Sequence, residues 1–314
     1  MACIVWRSWS SYEAAFELER IEKLPLQNKW VNGHKIKPNN NDIYLTTNGY
    51  DYMPYDCQKV SLYAESYVYL KSEYDNWDKN QNKWTHRFHF NPYYCSNRCT
   101  QQGIGTWWKN ELSLFENLRT NKTIKYCFGM VLGNKGVKRS VPCDIGYIRT
   151  KIVNTGMNRS FKYYGSRWPH GDKNYGGECY IDGSRGSPVK FHDARRLMGD
   201  SKFVFAIENT YDKRYSVNYL TEKIWHGFLS CSVPIYLGAW NVQEIIPPDI
   251  FIDFRKFEYN PTKVMDYCEK MSDIEYNGYL DRIDKFLHGD GLKFSCEERF
   301  IDLDMKLSTL MRAS

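Results

Sequence analysis

A chain of 314 residues with 42% hydrophobic and 25% charged residues has material for two domains, each with its own core, and this excludes a disordered protein. The net charge of +6 is modest and partly local, with nine Lys/Arg against two Asp from Lys135 to Lys173. It comes without the interleaved aromatics or recognition helix of a nucleic-acid binder, and a single anionic ligand such as a nucleoside diphosphate accounts for it at least as well.

In chain order, residues 2–9 read as a first strand. Ser10 with Glu13 three residues on resembles a capping box opening a helix that stops before Pro25. Residues 32–48 are polar, with a turn expected at 37–41. A strand over 59–63 ends at Ala64-Glu65-Ser66, and Trp107 to Glu111 opens a helix reaching Leu118. A buried strand over 126–132 opens at Gly133-Asn134, and another is expected at 161–165. The Gly-rich stretch 166–186 reads as a long loop near a ligand. An apolar run at 203–207, a polar loop, a helix from 224 and a second apolar run at 233–238 make one βαβ unit. A short strand at 251–254 and helices over 264–271 and 275–287 follow. The final helix, about 297–311, sets Phe300, Leu303, Leu307 and Leu310 on one stripe for core packing. Alternating strands and helices in two halves, with a seam near residue 125, predict an N-terminal α/β domain over 1–125, a second over 126–290, and a terminal helix over 291–314 packed on the body.

Ten cysteines are scattered without a disulfide framework, and the opening residues are charged too early for a secretory signal. No apolar run approaches the ~20 residues of a membrane span. The expectation is a cytoplasmic protein with reduced thiols, or a Golgi-luminal one if the chain is a trimmed catalytic domain. The sequons at Asn121 and Asn158 carry little weight in the first case. Aromatic content of 16%, mostly Tyr, suits a carbohydrate site but equally a Tyr-rich core.

Chemistry concentrates in the βαβ unit, where ligands sit beyond the strand ends near a helix N-terminus. Tyr219, Glu222 and Lys223 stand at i, i+3 and i+4, which would share one helical face. A phenol, a carboxylate and an ammonium there suit a ribose and a phosphate. Glu208-Asn209-Thr210 stands at the end of the preceding strand.

Ser201 to Thr210, Tyr219-Leu220-Thr221-Glu222-Lys223 and Val233-Pro234-Ile235-Tyr236-Leu237-Gly238 resemble the signature of family 10 glycosyltransferases, the alpha-1,3/4-fucosyltransferases. Ile250-Phe251-Ile252-Asp253 resembles the family's Ser-Phe-Ile-Asp segment. The close match covers roughly 200–257, and a weaker one about 127–290. The resemblance implies an α/β GT-B fold, two Rossmann-like domains facing a cleft, with the donor nucleotide on the C-terminal one. It implies GDP-L-fucose as donor, a glycan hydroxyl as acceptor, alpha-1,3-type transfer with inversion, and no metal held by the protein. By matching position Asn209, Tyr219, Glu222 and Lys223 contact GDP, Glu222 on the ribose and Lys223 on the diphosphate. Asn134 and Arg149 match a strand-end Asn and a phosphate-pairing Arg. Gly133 replaces the family's usual Ser, the spacing to Arg149 is longer than usual, and Arg139 and Arg159 are rivals. Glu65, after an N-terminal-domain strand, matches the base that takes the acceptor proton, with Tyr67 where Pro is usual. Glu73, Asp75 and Asp78 are its alternatives.

Trp84 to Phe90 distantly resembles a family stretch near the acceptor. His86, His89, Cys95 and Cys99 are a rival zinc set with irregular spacing. His226 reads as a packed or exposed histidine. Asp302 and Asp304, superficially an Asp-x-Asp, read as solvent-facing on the last helix. Two rival functions stand beside the fucosyltransferase. One is the same fold with another GDP- or UDP-sugar, motivated by Gly133 and by Asn218 in place of the family's usual Asp. The other is a non-catalytic carbohydrate-binding protein, which has no need of Glu222 and Lys223 together. The sequence does not address the oligomeric state.

Overall fold

The computed structural model describes residues 3–7, 18–47, 56–63, 71, 74–76, 79, 84–95, 99–102, 107–134, 143–179 and 189–312. Its residues divide into two compact units, Met1–Gly105 with Lys293–Ser314, and Thr106–Leu292.

The first unit is built on a parallel sheet of β1 (Cys3–Arg7), β2 (Lys29–Asn32), β3 (Ile43–Thr47), β4 (Gln58–Tyr63), β5 (His86–His89) and β6 (Cys99–Gln101), in the order β2-β1-β3-β4-β5-β6. β1 and β4 stand where the sequence predicts them; β2 precedes the 32–48 segment read as polar, and β3 falls inside it where no strand is expected. Ile43, Tyr44 and Leu45 are buried between β1 and β4, so tertiary pairing overrides a short apolar run with polar flanks. The Ser10 and Glu13 capping box lies outside the described residues.

The second unit carries β7 (Tyr126–Val131), β8 (Phe161–Tyr164), β9 (Ser201–Ile207), β10 (Val233–Leu237) and β11 (Ile252–Asp253), all parallel, in the order β11-β10-β9-β7-β8. β9 lies between β10 and β7, which is why 203–207 is an unbroken apolar run rather than an alternating one. Its helices are α1 (Leu112–Asn121), α2 (Gly146–Gly156), α3 (Val189–Gly199), α4 (Glu222–Leu229), the short α5 (Val242–Ile245), α6 (Pro261–Glu269) and α7 (Asp273–Leu287). α2 and α3 were not legible in the sequence. α2 has β-branched residues and a glycine at each end, weak helix formers held by burial of Ile148, Ile152 and Val153.

The units divide at 105/106, whereas the sequence pattern places a seam near 125. α1 and its flanks belong with the second sheet. Trp107 stacks on Trp225 with ring centroids 5.8 Å apart, and Lys122 donates to the carbonyls of Ser201 and Cys231, each at 2.6 Å. The last helix, α8 (Cys296–Arg312), belongs to the first unit. Phe300 packs edge-on against Trp6 and Trp30, and Leu303 and Leu307 are buried. Asp304 corrects the solvent-facing expectation. It is buried and accepts from the Gln27 amide (2.7 Å), Asn28 Nδ2 (2.9 Å) and the Trp30 indole (2.8 Å), so a carboxylate at a core position is satisfied by three donors. Asp302, part-exposed, pairs with Lys306.

Candidate functional site

Within the second unit, β9 ends at Ile207 and delivers Glu208 and Asn209 to the C-terminal edge of the sheet. Glu208 has no exposed surface. Its amide donates to the Leu237 carbonyl (2.8 Å), and its carboxylate accepts from the Thr221 amide (2.9 Å), the Thr221 hydroxyl (2.8 and 2.7 Å to its two oxygens) and Lys223 Nζ (2.9 Å). Thr221 is the N-cap of α4, but its hydroxyl serves Glu208 instead of capping its own helix. The carboxylate therefore lies at the helix N-terminus, where the backbone dipole favours negative charge. Lys223 Nζ also reaches Thr221 Oγ1 at 2.8 Å and Glu222 Oε1 at 3.1 Å.

Burial alone would push both carboxylates up and the ammonium down, and their proximity decides otherwise for two of the three. Burial raises the Glu208 carboxyl despite Lys223 beside it. Burial raises Glu222 too, but Lys223 beside it prevails and brings it down to about 2. Lys223 is raised, Glu208 and Glu222 overcoming its burial. His226, one turn along α4, is buried and its burial together with Arg195 lowers it to about 3, so it is neutral.

Arg149 projects from α2 into the same strand ends and is buried. Its Nη2 donates to the carbonyls of Ile207 (2.9 Å) and Glu208 (3.1 Å) and to Asn209 Oδ1 (3.0 Å), and its Nη1 to the Gly133 carbonyl (3.2 Å). Fixing Asn209 Oδ1 turns its Nδ2 toward the Tyr219 hydroxyl, 3.5 Å away. Asn134 follows Gly133, its amide donating to the Ser166 carbonyl at 2.9 Å. Asn209, Tyr219, Glu222, Lys223, Arg149 and Asn134 thus gather around the ends of β7 and β9.

Tyr219 is not on a helical face with Glu222 and Lys223. α4 begins at Glu222; Asn218 has φ +59° and Thr221 is extended, so the chain stays non-helical through Thr221. Tyr219 reaches the site from the buried end of a loop, next to Leu220 and Thr221. Of the rival arginines, Arg159 is held by Asp266 (2.6 Å) and Glu269 (2.7 Å) on α6, and Arg139 lies outside the described residues. Glu65 also lies outside them, with Glu73 and Asp78; Asp75 is exposed and paired with Lys71. Among the described residues no group of His, Cys, Asp or Glu could hold a metal. His86 and His89, three apart on β5, point to opposite faces of the sheet. His89 accepts from the Asn91 amide at Nδ1 (2.9 Å) and meets the Tyr74 hydroxyl at Nε2 (3.0 Å). None of the ten cysteines forms a disulfide, and among the described residues no helix is long and apolar enough to cross a membrane.

Sequence reasoning gave Glu208 no role. Its signal was present: a carboxylate directly after five apolar residues has to be buried and therefore paired. The spacing to Gly238 carries the same message, since a Cβ there would collide with the Glu208 side chain and the Tyr236 hydroxyl.

Residues 170–288 match the family model for glycosyltransferase family 10 (fucosyltransferase), C-terminal part. The likeness to family 10 lies within these residues. An alpha-(1,4)-fucosyltransferase of Arabidopsis thaliana is 40% identical over 105 residues, 32% of this chain and 24% of that protein. An alpha-(1,3)-fucosyltransferase B of Drosophila melanogaster is 30% identical over 86 residues, 27% of this chain and 18% of that protein. The match thus spans a quarter or less of the length of these curated relatives. A solved alpha1,3-fucosyltransferase with GDP is similar in fold, with a TM-score of 0.56 at 14% identity over 89% of this chain and 82% of that one. The expected GT-B fold class, two α/β units each on a parallel sheet, holds. Every assembled site residue except Asn134 and Arg149 lies inside the family 10 match.

Proposed function

We propose that this protein is an inverting fucosyltransferase that moves L-fucose from GDP-fucose to a glycan hydroxyl, in alpha-1,3-type linkage. The observation that carries the reading is the family 10 match together with the convergence of its four matching side chains, Asn209, Tyr219, Glu222 and Lys223, on one sheet end beside a helix N-terminus. In this reading the Glu222 carboxylate, ionised well below neutral pH, accepts hydrogen bonds from the ribose hydroxyls. Lys223 and Arg149 face the diphosphate, and their positive charge offsets the charge that develops as GDP leaves. Asn209, Tyr219 and Asn134 complete the nucleotide contacts. Glu65 is proposed as the base that takes the acceptor proton while the new C–O bond forms on the face opposite the departing phosphate.

The two departures that motivate another donor, Asn218 and Gly133, have local accounts that do not require one. Asn218 adopts a left-handed conformation that Asn tolerates, and it exchanges two 2.9 Å hydrogen bonds with Asn241. A Cβ at Gly133 would meet Ser166 Oγ at 3.2 Å, a tight fit. The rival donor therefore has no independent support in the site.

A panel of nucleotide sugars, read by thermal stabilisation and by released nucleotide with and without glycan acceptors, tests the reading. Stabilisation by GDP and not UDP, with acceptor-dependent GDP release from GDP-fucose, is expected. Preference for a UDP-sugar would replace the donor, and glycan binding indifferent to nucleotide would replace the enzyme. Glu65→Gln should keep GDP binding and lose transfer; retention of most transfer removes Glu65 as the base.

A further inference from the structure

We propose that Glu222 and the donor diphosphate exchange places on Lys223, so that ribose recognition releases the lysine for phosphate; this rests on the donor reading above. An ammonium has three N–H donors. Lys223 Nζ has three oxygens around it, Thr221 Oγ1 at 2.8 Å, Glu208 Oε2 at 2.9 Å and Glu222 Oε1 at 3.1 Å. A phosphate oxygen gains a direct hydrogen bond from this ammonium by displacing one of them.

The three partners are unequal. The Glu208 side chain has 0% of its surface exposed and is charge-paired with Lys223, so withdrawing the lysine leaves a buried carboxylate uncompensated. The Thr221 hydroxyl is tied to both Glu208 oxygens and cannot leave without them. Glu222 makes the longest of the three contacts, and its side chain is 32% exposed against 9% for Lys223. As the first residue of α4 it can turn outward without disturbing the helix. Glu222 is the partner that yields.

Two carboxylates on one ammonium give these three side chains a formal charge of −1, which Arg149 beside them only cancels, so the site turns positive toward an incoming anion once Glu222 turns away. A ribose diol gives that carboxylate two hydroxyl donors to turn toward. A nucleoside diphosphate therefore brings both halves of the exchange, whereas an anion without a ribose brings one. Glu208 stays on Lys223 throughout and acts as a positioning residue.

The test is calorimetric binding of GDP and of inorganic pyrophosphate to the wild-type protein, Glu222→Ala and Glu222→Gln. Pyrophosphate should bind the Ala and Gln variants more tightly than wild type, roughly fivefold, the equivalent of about 1 kcal/mol for a part-exposed ion pair. GDP should bind both variants more weakly. A carboxylate that only supports the helix would weaken both ligands together, and one that only binds ribose would leave pyrophosphate unchanged; either result overturns the exchange while GDP binding to wild type keeps the donor reading. If GDP fails to bind wild type, the donor reading falls and takes the exchange with it. The Gln variant keeps size and hydrogen bonding, so it carries the comparison if the Ala variant does not fold.

Discussion

Two buried lysines stand at opposite ends of the second unit's sheet, and their partners give them opposite character. Lys122, at the strand starts, is held by neutral oxygens, the carbonyls of Ser201 and Cys231 (both 2.6 Å) and the Ser232 hydroxyl (2.9 Å). Burial lowers it to about 8, against weaker opposing effects of Cys231 and Asp200. Lys223, at the strand ends, faces two carboxylates that more than offset its burial and raise it. Dipoles compensate a buried ammonium incompletely and produce a structural clamp. Paired carboxylates keep it charged across the working pH range, with one exposed partner that an anion can replace.

The largest expected break of this contrast is Lys223→Ala. The sequence alone suggests loss of transfer with an intact fold, but Glu208 would be stranded. We expect about 3–5 kcal/mol of destabilisation in denaturant titration, together with loss of GDP stabilisation. Adding Glu208→Gln should restore much of the stability and none of the nucleotide binding. Recovery of both would place Lys223 outside the donor site.

Acid should act next. His226 and His89 have folded values of about 3 against an ordinary 6.5, lowered by burial and then by Arg195 and Arg87 respectively. Below 6.5 the unfolded chain binds the extra protons, so stability is complete above that pH and falls as pH drops toward 3. At pH 5 the loss should be about 2 kcal/mol per histidine. One lies in each unit, so His226→Gln should flatten the acid slope of the second unit alone; an unchanged profile would show that His226 is protonated in the fold.

Gly227→Ala tests the seating of α4, because a Cβ would meet Pro234 Cγ at 2.7 Å and Val204 Cγ2 at 2.9 Å. Overpacking should cost about 1–3 kcal/mol in thermal or chemical denaturation. GDP affinity should drop with it, since α4 carries Glu222 and Lys223.

Lys122→Met should have the smallest effect near neutral pH, about 1 kcal/mol, with GDP affinity unchanged. Its signature is pH-dependent. Between about 8 and 10.5 the unfolded lysine binds more proton than the folded one, so wild type should gain on the variant by up to ~1.4 kcal/mol per pH unit. A flat difference across that window would show that Lys122 is fully compensated, and the contrast with Lys223 would disappear.

Much of the second unit is legible because its central strands, β9 and β10, are almost entirely buried. Runs such as 126–131 and 203–207 are apolar on both faces, and Gly or polar residues stop them sharply. Ile43–Thr47 escaped notice because five residues with two threonines carry little periodic signal until β1 and β4 flank them. The candidate residues Glu222 and Lys223 stand out by their spacing, and Asn209 by the family resemblance. For Glu208 the apolar run before it implies burial and a partner, but only the tertiary structure identifies that partner as Lys223. Tyr219 lies on a loop and not on the helix for a related reason. Spacing of three and four suits a helix, but the left-handed Asn218 and extended Thr221 are backbone facts that spacing does not encode.

By itself the sequence determined the fold class, the βαβ unit at 201–238 and the residue types gathered at its strand end, because burial patterns and local propensities are written residue by residue. Tertiary structure alone decided that α1 joins the second unit and α8 the first, that Asp304 is buried under three donors, and that Lys223 is shared between Glu208 and Glu222. Those outcomes depend on partners far apart in the chain, and the free energy of a buried charge is set by what lies beside it in space.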